Sequence, residues 1–346
     1  MNSTATIAVD VAKSVFEVAV STQPGRVSER HRLTRTKFEQ FFEGRAQATV
    51  AMEACGSAHY WGRRIEAAGH RVLLLPPHAV RPYITRNKTD RTDAKGILEA
   101  LRNDDIKPVP VKSEEQQALT ALHRIRSGWM ATRTARINTV RGVLRELGFV
   151  IPMGAGKVVP RVQELLSDAD APLTLPLRDA LAALCAEIHE LEQRIRAIER
   201  DLRAHARQSP LVRRLMSVPG VGLLSGTALV AFVGDVERFP SGRHFASYLG
   251  LTPRERSSGQ VRRLGAISKR GDTYIRMLLI HGARAVLLSS KTMKSPDTLR
   301  RWVLRVEARR GHNKAATALA NKLARVLWAV WRSGESYRGK AKAKRI

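Results

Sequence analysis

Four acidic residues in the first hundred positions have the types and spacing that metal chemistry requires. Asp10 and Glu53 each end an apolar run typical of a strand, and Asp90 and Asp93 stand three apart where a helix is predicted to begin. Side chains three apart share one helix face, and a carboxylate at the end of a buried strand needs a partner or a metal. If the strands lie near that face, the four groups converge. Mg²⁺, a hard cation that can bridge phosphate oxygens, suits such a cluster.

Each acid taken alone has a simpler interpretation. Asp90 could cap the helix, Asp93 could be a first-turn charge that the helix dipole favours, and Asp10 could be an ordinary turn residue. Four carboxylates held together would repel one another unless divalent cations occupied the cluster. The set of four therefore favours a metal site over four separate structural roles.

A second segment could bring a hydroxyl group to a phosphodiester. Ser257 and Ser258 precede Gly259, and Lys269 and Arg270 follow. Four arginines bracket the serines, namely Arg254, Arg256, Arg262 and Arg263. Guanidinium groups can hold phosphate oxygens and stabilise a transition state, and positive charge helps a serine hydroxyl, which is a weak nucleophile at neutral pH. On spacing alone, a flexible Ser/Gly loop is the simpler interpretation.

A glycine pair could form a phosphate grip. The sequence Pro219-Gly220-Val221-Gly222 precedes an apolar segment that predicts a helix. Backbone N–H groups of Gly220 and Gly222 at a helix start can bind a phosphate without reading bases. Short turns of this composition are common, so the motif is equally consistent with a plain connection between helices.

The charge of the chain points to a polyanionic partner. Lys and Arg number 60 against 31 Asp and Glu, which gives a net charge of +29 over 346 residues. Residues 251–346 alone carry 24 basic and 5 acidic side chains. Clustered cations displace the counterions of nucleic acid, and this balance argues against an enzyme of acidic or neutral metabolites. A merely solubilising surface would be served as well by acids.

The sequence also limits the class of protein and its compartment. Its two cysteines, Cys55 and Cys185, exclude a disulfide scaffold and a four-cysteine zinc site. It contains neither a run of about 20 apolar residues, as a membrane helix requires, nor the pattern of a signal peptide at its N-terminus. We expect a cytoplasmic protein with no membrane partner.

The first region predicts an α/β sheet. Strand patterns cover 5–10, 14–21, 48–53 and 71–75, and helical patterns lie at about 35–45, 57–69 and 89–103. Strands that alternate with helices are typical of this class. We place the first domain at residues 1–108.

The middle region, residues 109–208, predicts long helices. Apolar residues recur with heptad spacing at Leu177, Leu181, Leu184, Ile188, Leu191, Ile195, Ile198 and Leu202. This pattern indicates a coiled coil, and a second helix is predicted at 114–148, with a Pro-rich connector at 149–176. The two helices could pair as an antiparallel hairpin or with another subunit, and oligomerisation is expected.

The third region, residues 209–333, is predicted to be helical. Breaks fall at 219–222, 234–242 and 250–272, and Asp272 is predicted to cap the helix that follows. Residues 334–346 form a basic tail, predicted to be disordered. The fold class is therefore α/β followed by all-α.

These motifs, in this order, resemble the DEDD transposases, which are recombinases of the insertion sequence 110 family related to the Piv DNA invertases. The resemblance spans about residues 5–330, with Ala8 and Cys55 departing from the usual glycine and threonine. The matching segments are Ala8-Val9-Asp10…Lys13, Glu53-Ala54…Gly56, Asn87-Lys88-Thr89-Asp90…Asp93-Ala94, Pro219-Gly220-Val221-Gly222, Gly250-Leu251-Thr252-Pro253 and Ser258-Gly259.

The resemblance implies a fold and a chemistry. The first domain would be RuvC-like, of the RNase H type, with Mg²⁺ held by Asp10, Glu53, Asp90 and Asp93. The C-terminal domain would be a helical transposase domain whose serine forms a covalent phosphoserine with DNA. By the Ser-Gly match that serine is Ser258, although the adjoining Ser257 leaves a one-residue shift open.

The resemblance also implies partners. Family members are guided by a structured RNA that pairs with donor and target DNA, and they assemble as tetramers in which the acids of one subunit meet the serine of another. For this chain we expect DNA, a guide RNA and a dimer or tetramer, in the nucleoid of a prokaryote. Two rival hypotheses are a RuvC-like metal-dependent nuclease or junction resolvase without serine chemistry, and a non-catalytic nucleic-acid scaffold.

Overall fold

A computed structural model describes residues 5–23, 26–84 and 90–339, with only the backbone described at 90 and 91. The chain divides into two compact units, Met1–Gln117 and Ala118–Ile346. No helix of the described ranges is long and apolar enough to cross a bilayer.

The first unit is built on a five-stranded sheet. Its strands are β1 (Thr6–Val11), β2 (Val15–Ser21), β3 (Glu29–Thr34), β4 (Thr49–Glu53) and β5 (Arg71–Leu75). Their order in the sheet is β3-β2-β1-β4-β5, with β1, β2 and β3 antiparallel and β4 and β5 parallel to β1. The four predicted strands are confirmed. β3 was not predicted, because its sequence ERHRLT is polar and exposed, as an edge strand can be.

Helices cover both faces of this sheet. They are α1 (Arg35–Gln40), α2 (Ala58–Ala67), α3 (Pro77–Val80) and α4 (Asp90–Leu101). On one face, Phe16 stacks on Phe38 at 4.2 Å between ring centroids, and Trp61 of α2 meets both rings edge-on. On the other face, small alanines of the strands pack with Ala94 and Ile97 of α4. The result is a three-layer arrangement with a small-residue floor beneath α4.

Two long antiparallel helices follow. The elements are α5 (Glu114–Glu146), α6 (Val158–Ser167) and α7 (Leu175–Gln208). Ion pairs join α5 to α7 at Arg126–Glu199, Arg133–Glu192 and Arg136–Glu187, with rising numbers meeting falling ones. The helices therefore pair with each other within the chain, which is the first of the two predicted alternatives. A coiled-coil supercoil stays a prediction.

The Pro-rich connector 149–176 contains the helix α6. Pro160 lies in the first turn of α6, where its missing N–H has no helical partner to lose. Val158, Val162 and Leu165 are buried and pack in the core shared with α5 and α7. The prolines of this connector are therefore compatible with a packed helix.

Helices of different lengths pack around the last helix in the rest of the second unit. The elements are α8 (Pro210–Leu215), α9 (Leu223–Val233), α10 (Gly242–Tyr248), β6 (Pro253–Glu255), β7 (Leu264–Ile267), α11 (Thr273–Thr292), α12 (Thr298–Arg310) and α13 (His312–Ser333). One face of α13 is buried through alanines and leucines such as Ala316, Leu319 and Leu323. The Asp272 side chain accepts from the Ile275 N–H at 2.9 Å, which confirms it as the N-cap of α11.

Two segments of this unit depart from expectation. The predicted break at 250–272 contains an exposed two-stranded hairpin, β6–β7, which lacks the apolar alternation of a buried pair. At the end of the described chain, the Tyr337 N–H donates to Ser217 Oγ at 2.8 Å, and its ring packs on the core. The tail predicted from residue 334 is therefore docked at Tyr337, and its last seven residues lie outside the described ones.

Candidate active site

Asp10 and Glu53 are neighbours on one face of the sheet. β1 and β4 pair in parallel register, with Ala8 opposite Ala51 and Val9 opposite Met52, so the next residues along the two strands are Asp10 and Glu53. Both are half-buried. Side chains two apart on a strand share a face, so these carboxylates lie on the side of the two alanines, the side that α4 covers.

A third carboxylate extends this row. Glu17 of β2 is the cross-strand partner of Asp10, and Arg32 of β3 is the partner of Glu17. Arg32 Nε lies 3.5 Å from Glu17 Oε1. Like charges placed directly opposite destabilise a sheet, and Arg32 compensates at the β3 side of the row.

The helix α4 brings Asp93 to the same face. Ala94 and Ile97 pack on the sheet, and the half-buried Asp93 has its Oδ1 shielded from solvent. Asp90 begins α4, but its side chain lies outside the described ones. Among the described side chains, no group of three or more His, Cys, Asp or Glu is arranged to hold a metal ion. The fold thus places Asp10 beside Glu53 and Asp93 over the same face of the sheet. These three side chains alone do not form a complete set of metal ligands.

Cys55 lies within the field of the two sheet carboxylates. Its Sγ contacts the Val11 carbonyl at 3.9 Å. Burial raises the pKa of the Cys55 thiol, and the negative charges of Glu53 and Asp10 raise it further. The thiol is therefore held in its neutral form.

The two candidate serines have different surroundings at the end of the β6–β7 hairpin. Ser257 Oγ donates to Glu255 Oε1 at 2.8 Å and accepts from the Arg263 N–H at 3.2 Å. Ser258 pairs with Val261 through its backbone, at 3.3 and 3.1 Å, and its exposed hydroxyl has no hydrogen-bond partner among the described residues. The Ser257 hydroxyl holds the hairpin together, whereas the Ser258 hydroxyl is available to a ligand.

The segment that carries Ser258 also exposes basic side chains. Arg254, Arg256, Arg262 and Arg263 are all exposed on the hairpin, as are Lys269 and Arg270 after it. Arg262 Nε donates to Glu255 Oε1 at 3.1 Å. The hydrogen bond from Ser257, together with Arg262, lowers the pKa of the Glu255 carboxyl, which stays ionised. The predicted cations are therefore all exposed to solvent along this segment, which we call the hairpin surface.

A tight turn fixes the C-terminal end of the hairpin surface. Lys269 has a positive φ of 56°, and its N–H donates to the carbonyl of Gly250. A Cβ on Gly250 would lie 2.8 Å from the Arg270 nitrogen, so only glycine fits there. The buried Arg276 donates to the Gly271 carbonyl at 3.1 Å and ties this turn to α11.

The Gly220 part of the predicted phosphate grip has a packing role. A Cβ on Gly220 would lie 2.6 Å from the Gly282 carbonyl oxygen of α11, so the glycine permits close approach of the turn to that helix. Gly222 is the exposed N-cap of α9 and meets nothing within 4 Å. The alternative interpretation of the motif, a close helix connection, accounts for Gly220.

Two residues of these surroundings were missed by sequence reasoning. Glu255 accepts hydrogen bonds from both Ser257 and Arg262. The sequence could have indicated it, because no other acid lies between Arg254 and Gly271. Glu17 was missed because its position opposite Asp10 depends on strand register, which no local pattern shows.

Comparison with known proteins identifies the class. A family model for DEDD transposases of IS110 elements matches residues 7–149, and one described as transposase IS116/IS110/IS902 family matches 212–297. A probable family 20 transposase of Pseudomonas aeruginosa is 43% identical, over 96% of this chain and 98% of its own. The transposase for insertion sequence element IS1111A of Coxiella burnetii is 36% identical, over 96% and 91%. That for IS1328 of Yersinia enterocolitica is 34% identical, over 95% and 97%.

The chain therefore belongs to the IS110 family of transposases. A transposase is an enzyme that cuts and rejoins DNA, and the resemblance found in the sequence is confirmed. The sheet with covering helices agrees with the RNase H-like fold expected of its DEDD domain.

Proposed function

We propose that this transposase cuts and rejoins DNA through a covalent bond to Ser258, assisted by Mg²⁺ at the carboxylate face of the sheet. One observation carries the proposal: β1 and β4 bring Asp10 and Glu53, 43 positions apart in sequence, side by side beneath the helix of Asp93. Acidic groups in such proximity favour a bound cation.

The donor set fits Mg²⁺. Carboxylate oxygens are the ligands that this hard cation prefers, and Asp10 and Glu53 would hold it, with Asp90 and Asp93 contributing from α4. When bound, Mg²⁺ would offset the charge of a phosphodiester during strand cleavage. The half-burial of Asp10, Glu53 and Asp93 would restrict water around their oxygens and strengthen their interaction with a cation.

The serine step is a transesterification. The Ser258 hydroxyl oxygen forms a bond to phosphorus, the bond from phosphorus to one deoxyribose oxygen breaks, and the hydroxyl proton ends on that leaving oxygen. The phosphoserine keeps one phosphate ester bond for each one broken, so a deoxyribose hydroxyl can reverse the step and rejoin the strand. The cations of the hairpin surface would stabilise the charge on the phosphate oxygens.

The proposed partners are donor and target DNA, a guide RNA, and further copies of the chain. The net charge of +29 is sufficient to attract several nucleic-acid strands. Recognition by base pairing to RNA would leave the protein to grip backbones through cations such as Arg254 and Arg256. In a dimer or tetramer, the carboxylates of one subunit would meet the serine of another.

Covalent trapping tests the proposal directly. The full chain is incubated with Mg²⁺ and a nicked DNA substrate, and the cross-linked peptide is identified by mass spectrometry. We expect an adduct on Ser258, its loss in Ser258→Ala, and its persistence in Ser257→Ala, because the Ser257 hydroxyl is engaged within the hairpin.

Three results would contradict this assignment. An adduct on Ser257 would move the nucleophile by one residue. Mg²⁺-dependent cutting by Ser258→Ala would favour the nuclease or junction-resolvase hypothesis. Normal function of a protein with both Asp10→Asn and Asp93→Asn would favour the non-catalytic scaffold.

A further inference from the structure

A large groove beside the base of the hairpin has no part in the chemistry proposed above. Its volume is about 1510 Å³. Its floor is the face of α13 turned away from the core, with Ala318 and Lys322, and its walls include Pro253 of β6, Ile267 of β7 and Trp302 of α12. We call this the α13 groove. It lies entirely within the second unit.

The α13 groove carries uncompensated positive charge. Its cationic lining residues are Arg243, Lys314, Lys322 and Arg325. None of them forms an ion pair with any described residue, and the described lining contains no Asp or Glu. Burial lowers the pKa of Lys322, and the charge of Arg325 lowers it further. An anionic occupant would offset the charges of Lys322 and Arg325, so the groove is complementary to an anion.

The same groove presents fixed aromatic surface. Lys322 Nζ lies 4.1 Å from the centroid of the Trp302 ring. Trp328 is held in place because its Nε1–H donates to the Phe239 carbonyl at 3.0 Å. Both indoles are half-buried and lie beside cations. A flexible nucleic-acid strand can bind to such a surface, because its bases stack on aromatic rings while its phosphates contact the cations.

We propose that the α13 groove binds an unpaired stretch of the DNA strand that is cut at the hairpin, an inference that rests on the proposed function. Pro253 and Ile267 are cross-strand partners at the hairpin base and also line the groove. Ser258 is five residues from Pro253, at most about 17 Å at about 3.3 Å per residue. A strand held at the serine reaches the groove within about five nucleotides at about 3.4 Å each.

An unpaired strand fits better than a duplex. In a duplex the bases are stacked inside and only phosphates and groove edges reach the protein, which would leave the apolar lining of Pro253, Ile267 and the two indoles without a partner. An unpaired strand fills both the apolar and the cationic parts. Exchange of strands also requires bases next to the cut to leave their original base pairs.

Photo-cross-linking tests the proposal on the unaltered full chain. An oligothymidine of about 15 nucleotides that contains 4-thiothymidine is irradiated with the protein, and the adducts are mapped by mass spectrometry. We expect adducts on peptides that contain Trp302 or Trp328. Adducts confined to other peptides would overturn the proposal, and so would binding of oligouridine RNA without binding of the DNA.

Variants then separate stacking from charge. Trp302→Leu should weaken oligothymidine binding about tenfold, because one base loses its platform, and leave binding of an abasic strand of equal length unchanged. The double change Lys322→Gln with Arg325→Gln should weaken both strands. Its matched control is Arg309→Gln with Arg310→Gln, which removes two exposed cations of α12 outside the groove. An equal loss of binding to both strands in the control would contradict the inference.

The outcome can be distinguished from that of the serine proposal. A Ser258 adduct without groove cross-links would leave the proposed function standing and reject the groove. If the wild-type protein never forms a covalent adduct, and groove cross-links appear both in it and in Ser258→Ala, the groove proposal is supported and covalent catalysis is rejected.

Discussion

The carboxylate face of the sheet and the β6–β7 hairpin position their chemical groups in opposite ways. Asp10 and Glu53 follow fully buried residues of adjacent strands, so the core of the first unit sets their spacing. Ser258 lies at the end of a hairpin whose residues are nearly all exposed, where Val261 and Leu264 are 55% and 53% exposed. A rigid face suits cation binding, which needs fixed oxygens, and an exposed hairpin suits a nucleophile that must reach a large substrate.

The largest expected effect comes from substitutions on the carboxylate face of the sheet. Asp10→Asn or Glu53→Gln should reduce Mg²⁺-dependent DNA cleavage by roughly 1000-fold, since each removes charge that would hold the cation. Stability should be unchanged or slightly higher, because repulsion between the carboxylates falls. Cleavage rates and urea unfolding measure the two effects.

Asp104→Asn is the matched control, because this exposed acid lies in the same unit away from the carboxylate face. Full activity in Asp10→Asn, or equal loss in Asp104→Asn, would remove the special role of the face.

Substitutions of apolar residues test whether the sheet and the hairpin differ in their contribution to the stability of the fold. Met52 is 0% exposed and precedes Glu53, so Met52→Ala should lower the free energy of unfolding by about 2–5 kcal/mol. Leu264→Ala on the hairpin should lower it by less than about 0.5 kcal/mol. Denaturation in urea checks both, and a large cost at Leu264 would show that the hairpin packs against something.

A buried histidine of the second unit shows what burial does to an ionisable group that has hydrogen-bond partners. His123 contacts the Tyr274 hydroxyl and Thr227 Oγ1, each at 3.0 Å. Burial lowers the pKa of His123 to about 4, so the unfolded chain binds the extra proton and stability falls as pH decreases from about 6.5 towards 4.

Between about pH 7.5 and about pH 5, this group should cost about 2 kcal/mol of stability. His123→Gln should remove that part of the pH dependence, as urea unfolding at the two pH values would measure. An unchanged slope in the variant would mean that other groups carry the loss.

The smallest expected effect concerns the support of the hairpin. Ser257→Ala removes the hydrogen bonds to Glu255 and from Arg263, worth about 1 kcal/mol, and should slow adduct formation about fivefold. Ser257→Thr keeps the hydroxyl and should restore most of the rate. A loss in Ser257→Ala as complete as in Ser258→Ala would contradict a supporting role.

Local pattern was sufficient for part of this structure. The apolar runs ending at Asp10 and Glu53 predicted β1 and β4, and the heptad predicted α7, because buried faces leave a periodic signal. The Asp272 cap was also visible, since capping depends on neighbours in sequence.

Other features depend on contacts that no short window contains. The pairing of Ala8 with Ala51, which aligns the two carboxylates, is a long-range register. β3 and the β6–β7 hairpin lack apolar alternation because they are exposed. The α13 groove went unnoticed because sequence periodicity shows which face of α13 is buried, not what stands opposite the other face.

The parallel register of β1 and β4 also limits how this gene can change in length. One codon inserted within β4 would shift Glu53 by one position and turn its carboxylate to the opposite side of the sheet, towards Trp61 and Phe38. The exposed stretch 43–47 just before that strand can absorb added residues without moving the pairing. We therefore expect natural relatives to differ in length before β4 and to keep the count from Ala48 to Glu53 constant.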